Sequence, residues 1–135
     1  MRFMIIRKAD AETEAGAEPT EALITDMMAY MQKMIDAGVM LDGAGLQRSA
    51  KGARVSFSNG KPTVTDGPFA ETKELIAGYS IIEVNSREEA IEWVKQWPQL
   101  DGHGSVQIEI RELFSPEAFG EEAVAQSKTF ESRRK

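Results

Sequence analysis

The sequence predicts one α+β domain of ferredoxin-like type, with a βαββαβ order and a β-hairpin inserted between its two halves. Three observations carry this reading. Two segments place apolar residues at three- and four-residue steps, as amphipathic helices do. Short runs rich in β-formers stand before and after each of them. Between the halves, Asn59-Gly60 separates two alternating segments, which is the strongest short-range hairpin signal. At 135 residues the chain is long enough for one domain and too short for two.

Arg2 to Arg7 reads as the first strand, with Phe3 and Ile5 on one face and Met4 and Ile6 on the other. Asp10 to Glu18, acidic and alanine-rich with Gly16, reads as a loop. Thr20 then caps a helix with Glu21 in its first turn. Ile24, Met27, Met28, Met31, Met34 and Ile35 form one stripe, read as core, and Gly38 ends the helix in the left-handed conformation. Val39 to Gln47 is a second strand, bent or bulged at Gly43 and Gly45.

Arg54 to Ser58 and Lys61 to Thr65 are the arms of the hairpin, and Pro62 makes the returning arm an edge. Leu75 to Val84 is a strand with Gly78 as a point of close approach. Ser86 and Glu89 form a capping box, each satisfying the other's end of a second helix. Ala90, Ile91, Trp93, Val94 and Trp97 fill that helix, and Pro98 stops it. Leu100 to Gly104 is loop, and Ser105 to Arg111 alternates as the last strand. Residues 1–114 make the domain, and 115–135 a polar tail, partly helical or disordered. Both helices on one sheet face leave the other face uncovered.

Composition narrows the function. A net charge of −6 repels phosphate backbones and anionic membranes, which excludes nucleic acid and membrane partners. No run reaches the roughly 18–20 apolar residues of a membrane span, and the N-terminal apolar run is too short for a signal peptide. A cytoplasmic protein is expected. Without cysteine there is no thiolate nucleophile and no zinc–thiolate site. His103 is the only histidine and lies between two glycines in an exposed loop, so one chain cannot build a histidine metal site. No serine has the nucleophile-elbow setting, and Gly43-Ala44-Gly45 lacks the rest of a dinucleotide fingerprint. Neither metal nor cofactor is expected.

What remains is a set of charged residues. Asp42 ends the second strand, Asp66 precedes Gly67-Pro68, and Glu71, Lys73 and Glu74 follow. Arg111, with Glu109, can reach the same sheet face, and Tyr79 can supply a hydroxyl. Enclosed together, one of these carboxylates would be raised into the range of an acid or base; facing water, they form weak ion pairs. No residue is assigned a catalytic role.

The run Asp66-Gly67-Pro68-Phe69-Ala70-Glu71-Thr72-Lys73-Glu74 resembles the namesake motif of the DGPF (DGPFAETKE) branch of the YCII-related proteins, small bacterial proteins. The resemblance extends from Arg2 to Phe119. It includes Lys51-Gly52-Ala53-Arg54, Glu89-Ala90-Ile91-Glu92-Trp93 and Ile108-Glu109-Ile110-Arg111, and the glycine-rich run after Val39. It implies a homodimer in which two sheets meet as a dimeric α+β barrel around a pocket. Other branches carry a histidine on the first helix, paired with an aspartate. Glu21 to Gly38 contains no histidine, so that dyad is absent. One relative is linked to dehalogenation of an aromatic substrate, and members often lie beside genes for alternative sigma factors.

The expected function is binding of a small organic molecule in a polar pocket at the dimer's sheet interface, lined by Asp42, Asp66, Glu71, Lys73, Glu74, Tyr79 and Arg111. The alternatives are a cofactor-free enzyme using these carboxylates for proton transfer, and an accessory protein that binds a transcription regulator such as an alternative sigma factor.

Overall fold

A computed structural model describes residues 1–134. In chain order the elements are β1 (Arg2–Lys8), α1 (Ala11–Glu14), α2 (Glu21–Asp36), β2 (Met40–Gly45), β3 (Ala53–Ser58), β4 (Lys61–Asp66), β5 (Ile76–Glu83), α3 (Arg87–Val94), β6 (Ile108–Glu112) and α4 (Glu121–Arg134). Short 3-10 turns fill Ser49–Lys51, Thr72–Glu74, Asp101–Gly104 and Pro116–Phe119. The main sheet runs β2-β5-β1-β6 with every neighbouring pair antiparallel, and β3-β4 form a separate two-stranded ribbon. The α+β class is therefore as expected.

Register assigns the two faces of the sheet. Phe3, Ile5 and Arg7 of β1 stand opposite Ile82, Ser80 and Gly78 of β5, and opposite Glu112, Ile110 and Ile108 of β6. This face carries the core: Phe3, Ile5, Ile82 and Val84 cluster with Tyr30 and Met34 of α2, Val39, and Ala90 of α3. Burial of this apolar set is the main stabilising contribution, at about 1.5–3 kcal/mol per large side chain. On the opposite face Met4 and Ile6 pair with Ile81 and Tyr79 and with Arg111 and Glu109, and all of the apolar members stay half-exposed. Both helices thus share one face, and the other is uncovered.

Local signals set the boundaries. The Thr20 hydroxyl accepts from the Leu23 N–H at 3.1 Å, and Gly38 adopts φ 72° after the last turn of α2. Asn59 and Gly60 both take positive φ, the type I′ geometry that matches strand twist. β2 carries an irregularity between Met40 and Asp42, ahead of the glycines where the bend was expected; Gly43 and Gly45 pair regularly with Ser80 and Gly78, and a side chain at Gly78 would press on the Ala44 carbonyl at 3.2 Å.

Several elements differ from the sequence reading. The stretch read as loop contains the one-turn α1, because Asp10 and Thr13 cap each other through side chain and backbone. At α3 the box is offset: Ser86 accepts from Glu89, but the Glu89 carboxylate takes the Asn85 N–H at 2.8 Å. Trp97 lies past the end of α3, and β6 starts only at Ile108. The methionine stripe is split: Met34 is buried, Met27 and Met31 are half-buried, and Ile24, Met28 and Ile35 are exposed. Six positions at mixed three- and four-residue steps span more of a helix than one packing surface covers. In the tail, α4 is helical and buries nothing. Among the described residues, no helix is long and apolar enough to cross a membrane.

Candidate functional site

Alternation in β1 puts Arg7 on the core face, in line with Phe3 and Ile5, where it is 8 % exposed. A buried guanidinium must be paired, because an unpaired one costs several kcal/mol. Its partner is Asp101, itself 7 % exposed. Arg7 Nε donates to Asp101 Oδ2 at 3.1 Å and Nη2 to Oδ1 at 2.8 Å, a two-pronged contact. Nη1 donates to Asp10 Oδ2 at 3.2 Å and to the Lys8 carbonyl at 2.8 Å. Trp97 Nε1 donates to Asp101 Oδ2 at 2.9 Å. The backbone of Gly102 and His103 takes left-handed φ just after Asp101, which turns the chain there.

Arg7, Trp97 and Asp101 of this network line a cavity of about 410 Å³ between α2 and the sheet. The walls are largely apolar, with Met27, Met31 and Met34 on one side and Ala44, Gly45 and Ala77 on the other. Ile24 and Met28 line it yet are 47 % and 61 % exposed, so they form its mouth. Tyr30 and Trp97 stand edge to face at 5.6 Å between ring centroids. The volume falls in the usual range for small-molecule sites, roughly 300–1,000 Å³.

The ionisable groups of this cavity are held away from neutrality. Burial pushes the Tyr30 phenol up to about 12, and its hydroxyl donates to the Trp93 carbonyl at 2.8 Å. Burial raises the Asp101 carboxyl, but hydrogen bonds from Arg7 and Trp97 and the attraction of the guanidinium outweigh it and hold the group below its ordinary value. The hydrogen bond to Asp101 raises Arg7 further above its already high value. With Asp10, the cluster carries two carboxylates to one guanidinium, all mutually satisfied. Its chemistry is that of a fixed polar wall, with aromatic edges and polarisable sulfurs beside it.

The seven residues singled out from the sequence lie as follows. Tyr79 is half-buried; its strand borders the cavity, but register turns its side chain to the opposite sheet face. By register Asp42, Tyr79 and Arg111 share the uncovered sheet face, on β2, β5 and β6. Asp42 Oδ1 accepts from the adjacent Gly43 N–H at 2.8 Å, and Arg111 Nη1 donates to Glu109 at 3.2 Å. Asp66, Glu71, Lys73 and Glu74 are exposed and lie at the root of the β3-β4 ribbon, away from the α2 cavity. The structure therefore gathers the seven into two groups.

The nine-residue run acts as a clasp on the ribbon. Gly67 donates to the Gly52 carbonyl at 3.0 Å, across the ribbon's root. A Cβ at Gly67 would stand 1.7 Å from the Ser49 carbonyl oxygen, so only glycine fits. The Gly67–Pro68 peptide is cis. The Phe69 N–H donates to the Ser49 hydroxyl at 3.0 Å, and Ser49 in turn donates through its hydroxyl and its N–H to Glu14 of α1. The Arg54 guanidinium lies 3.8 Å over the Phe69 ring and 3.5 Å from Glu71. Glu71 is thereby used in an ion pair, which accounts for one charge of the motif structurally.

Sequence reasoning passed over Arg7, Tyr30, Trp97 and Asp101 as site residues. One signal was present. Arg7 continues the Phe3–Ile5 parity, which places a charge on the buried face and calls for a carboxylate somewhere in the chain. Which carboxylate answers it is a matter of folding, since Asp101 lies 94 residues away.

With the geometry in place, similarity to known proteins can be set beside it. A model of the YCII-related domain matches residues 1–113. An uncharacterised protein of Rhizobium meliloti (strain 1021) is 31 % identical over 100 residues, covering 73 % of this chain and 81 % of that protein. Among solved structures, 5-chloro-2-hydroxyhydroquinone dehydrochlorinase (TftG) of Burkholderia phenoliruptrix AC1100, in complex with 2,5-dihydroxybenzoquinone, matches with a TM-score of 0.42 and 16 % identity. That match covers 85 % of this chain and 96 % of the other.

Proposed function

The chain belongs to the YCII-related domain family, and we propose that this member binds a small organic molecule in the cavity between α2 and the sheet. The cavity carries the reading: about 410 Å³, largely apolar, with the Arg7–Asp101–Trp97 network in its wall. Such walls favour a neutral, planar, mostly apolar ligand, gripped by methionine sulfur and aromatic edges. A polar group on that ligand would meet the Arg7–Asp101–Trp97 network in the wall. Because Tyr30 is raised to about 12 and Asp101 is held low, neither suits proton transfer near neutral pH, which favours binding over acid–base catalysis.

A thermal-shift screen tests this. Aromatic and alicyclic compounds at about 100 times their dissociation constant should add roughly 2.7 kcal/mol of stability. Met31→Trp, which fills the cavity, should abolish the shift while the protein stays folded. A screen without apolar hits, or hits that survive Met31→Trp, removes the reading.

One observation favours a second location. Asp42, Tyr79 and Arg111 share the uncovered sheet face, so two such faces meeting in a homodimer would bring these polar groups together. Asp66, Glu71, Lys73 and Glu74 would join from the ribbon root. The strand order β2-β5-β1-β6 supports the ferredoxin-like description on which such a dimeric barrel depends. The Asp66–Glu74 run supports the DGPF branch. Ligand shifts lost in Arg111→Ala but kept in Met31→Trp would select this location.

A further inference from the structure

The polar side chains along the α2 cavity are those of Arg7, Tyr30, Tyr79, Ser80, Trp97 and Asp101. Four of them are already bonded: Arg7 and Trp97 to Asp101, and Tyr30 to the Trp93 carbonyl. Tyr79 turns to the opposite sheet face. That leaves Ser80, which is 9 % exposed and whose hydroxyl has no hydrogen-bond partner among the described residues. No fully covered side-chain oxygen or nitrogen among those residues lacks a partner, so the Ser80 oxygen keeps some open surface. The cavity is the space it lines. Buried hydroxyls are rarely left unpaired, and this one calls for a partner from outside the chain.

Register explains why Ser80 meets open space. On the core face β5 carries Gly78 and Ser80 in succession, and Gly78 stands between Gly45 of β2 and Arg7 of β1. Two glycines side by side leave the sheet bare there, and a Cβ built on Gly45 would meet nothing within 4 Å. Met27, Met31 and Met34 of α2 form the facing wall. A flat ring fits between bare backbone and polarisable sulfur. Ile5–Ser80 and Arg7–Gly78 are successive core-face pairs, which makes Ser80 and Arg7 diagonal neighbours at about 7–8 Å. A ligand oxygen beside the Arg7–Asp101–Trp97 network thus also comes within reach of Ser80. Charge selects further. Asp10 and Asp101 already face the one guanidinium, so no positive charge remains to hold an anionic ligand.

We propose that Ser80 is the specificity-determining group of this cavity, and that its ligand is a flat, uncharged ring whose oxygen hydrogen-bonds the Ser80 hydroxyl. The inference rests on the ligand-binding reading of the cavity and adds to it the group that decides which ring is held. A serine hydroxyl both donates and accepts, so a ketone or a ring hydroxyl serves, while a bare hydrocarbon leaves Ser80 unpaired. One neutral hydrogen bond of this kind is worth about three- to tenfold in affinity.

Equilibrium dialysis of matched probes tests it, with 1-indanone set against indane and 2-naphthol against naphthalene. The wild-type chain should hold the oxygen-bearing member of each pair about three- to tenfold more tightly. It should bind 2-naphthoate more weakly than 2-naphthol, because the carboxylate would be buried without a counter-charge. Ser80→Ala should erase the preference within each pair and bind the hydrocarbons within about twofold of wild type. Gly45→Val sets a side chain into the open floor and should weaken both members about tenfold, with unchanged circular dichroism. A preference that persists in Ser80→Ala, or an equal loss of both members there, overturns the Ser80 assignment and leaves the cavity reading standing. Binding undiminished in Gly45→Val overturns the placement of the ring on the glycine floor. Rings that bind Met31→Trp as well as wild type, or that fail to bind wild type at all, overturn the cavity reading and this inference with it.

Discussion

Asp101 shows how a single side chain can be fixed by burial. Its two oxygens are consumed by Arg7 and Trp97, and removing one charge strands the other in the interior. Asp101→Asn should therefore cost about 3–5 kcal/mol, whereas Arg7→Leu/Asp101→Leu should cost less than either single change. Urea denaturation of the three variants measures this. The same network sets an acid limit. Asp101, Asp10 and Glu14 all lie below their ordinary values when folded: the first two despite burial, through Arg7 and neighbouring donors, and Glu14 through the Ser49 hydroxyl and N–H. Depressed carboxylates contribute stability above their unfolded values, which is lost as pH falls through the folded ones. Stability from this source should be level from pH 8 to 5 and decline below about 4. Asp101→Asn should decline less steeply. Gly67 is the other decisive position. Gly67→Ala drives a methyl into the Ser49 carbonyl and should cost about 2 kcal/mol or more, read by chemical denaturation.

At the level of elements, α2 does three things along one helix. Met34 and Tyr30 close the core, Met27 and Met31 wall the cavity, and Ile24 and Met28 rim its mouth. Met34→Ala should cost about 2–5 kcal/mol, while Met28→Ala should stay within about 0.5 kcal/mol. Equal losses at the two positions would contradict this division. The ribbon and its clasp form a second unit, joined to α1 through Ser49 and Glu14. The most recognisable run of the sequence thus holds the root of the ribbon through Gly67 and Phe69. Of its charges, Glu71 pairs with Arg54, while Asp66, Lys73 and Glu74 are exposed.

For the molecule as a whole, the family match ends at residue 113 and α4 buries nothing. A chain ended at Phe114 should melt within a few degrees of the full chain and retain any ligand shift. A collapse of the melting transition would show the tail to be part of the domain. Two surfaces of this body are uncovered among the described residues: the sheet face with Met4, Ile6, Tyr79 and Ile81, and the apolar side of the ribbon.

The sequence by itself determined what is local or periodic. Thr20 and Gly38 bound α2, Asn59-Gly60 makes the hairpin, and two-residue alternation in β1 and β5 selects the core face, because backbone sterics and burial parity act within a few residues. Tertiary structure alone decided that Asp101 answers Arg7, that half a methionine stripe lines a cavity, and that the Asp66–Glu74 run clasps a ribbon. Those are pairings between distant residues, whose partner is chosen by the packing of the whole chain.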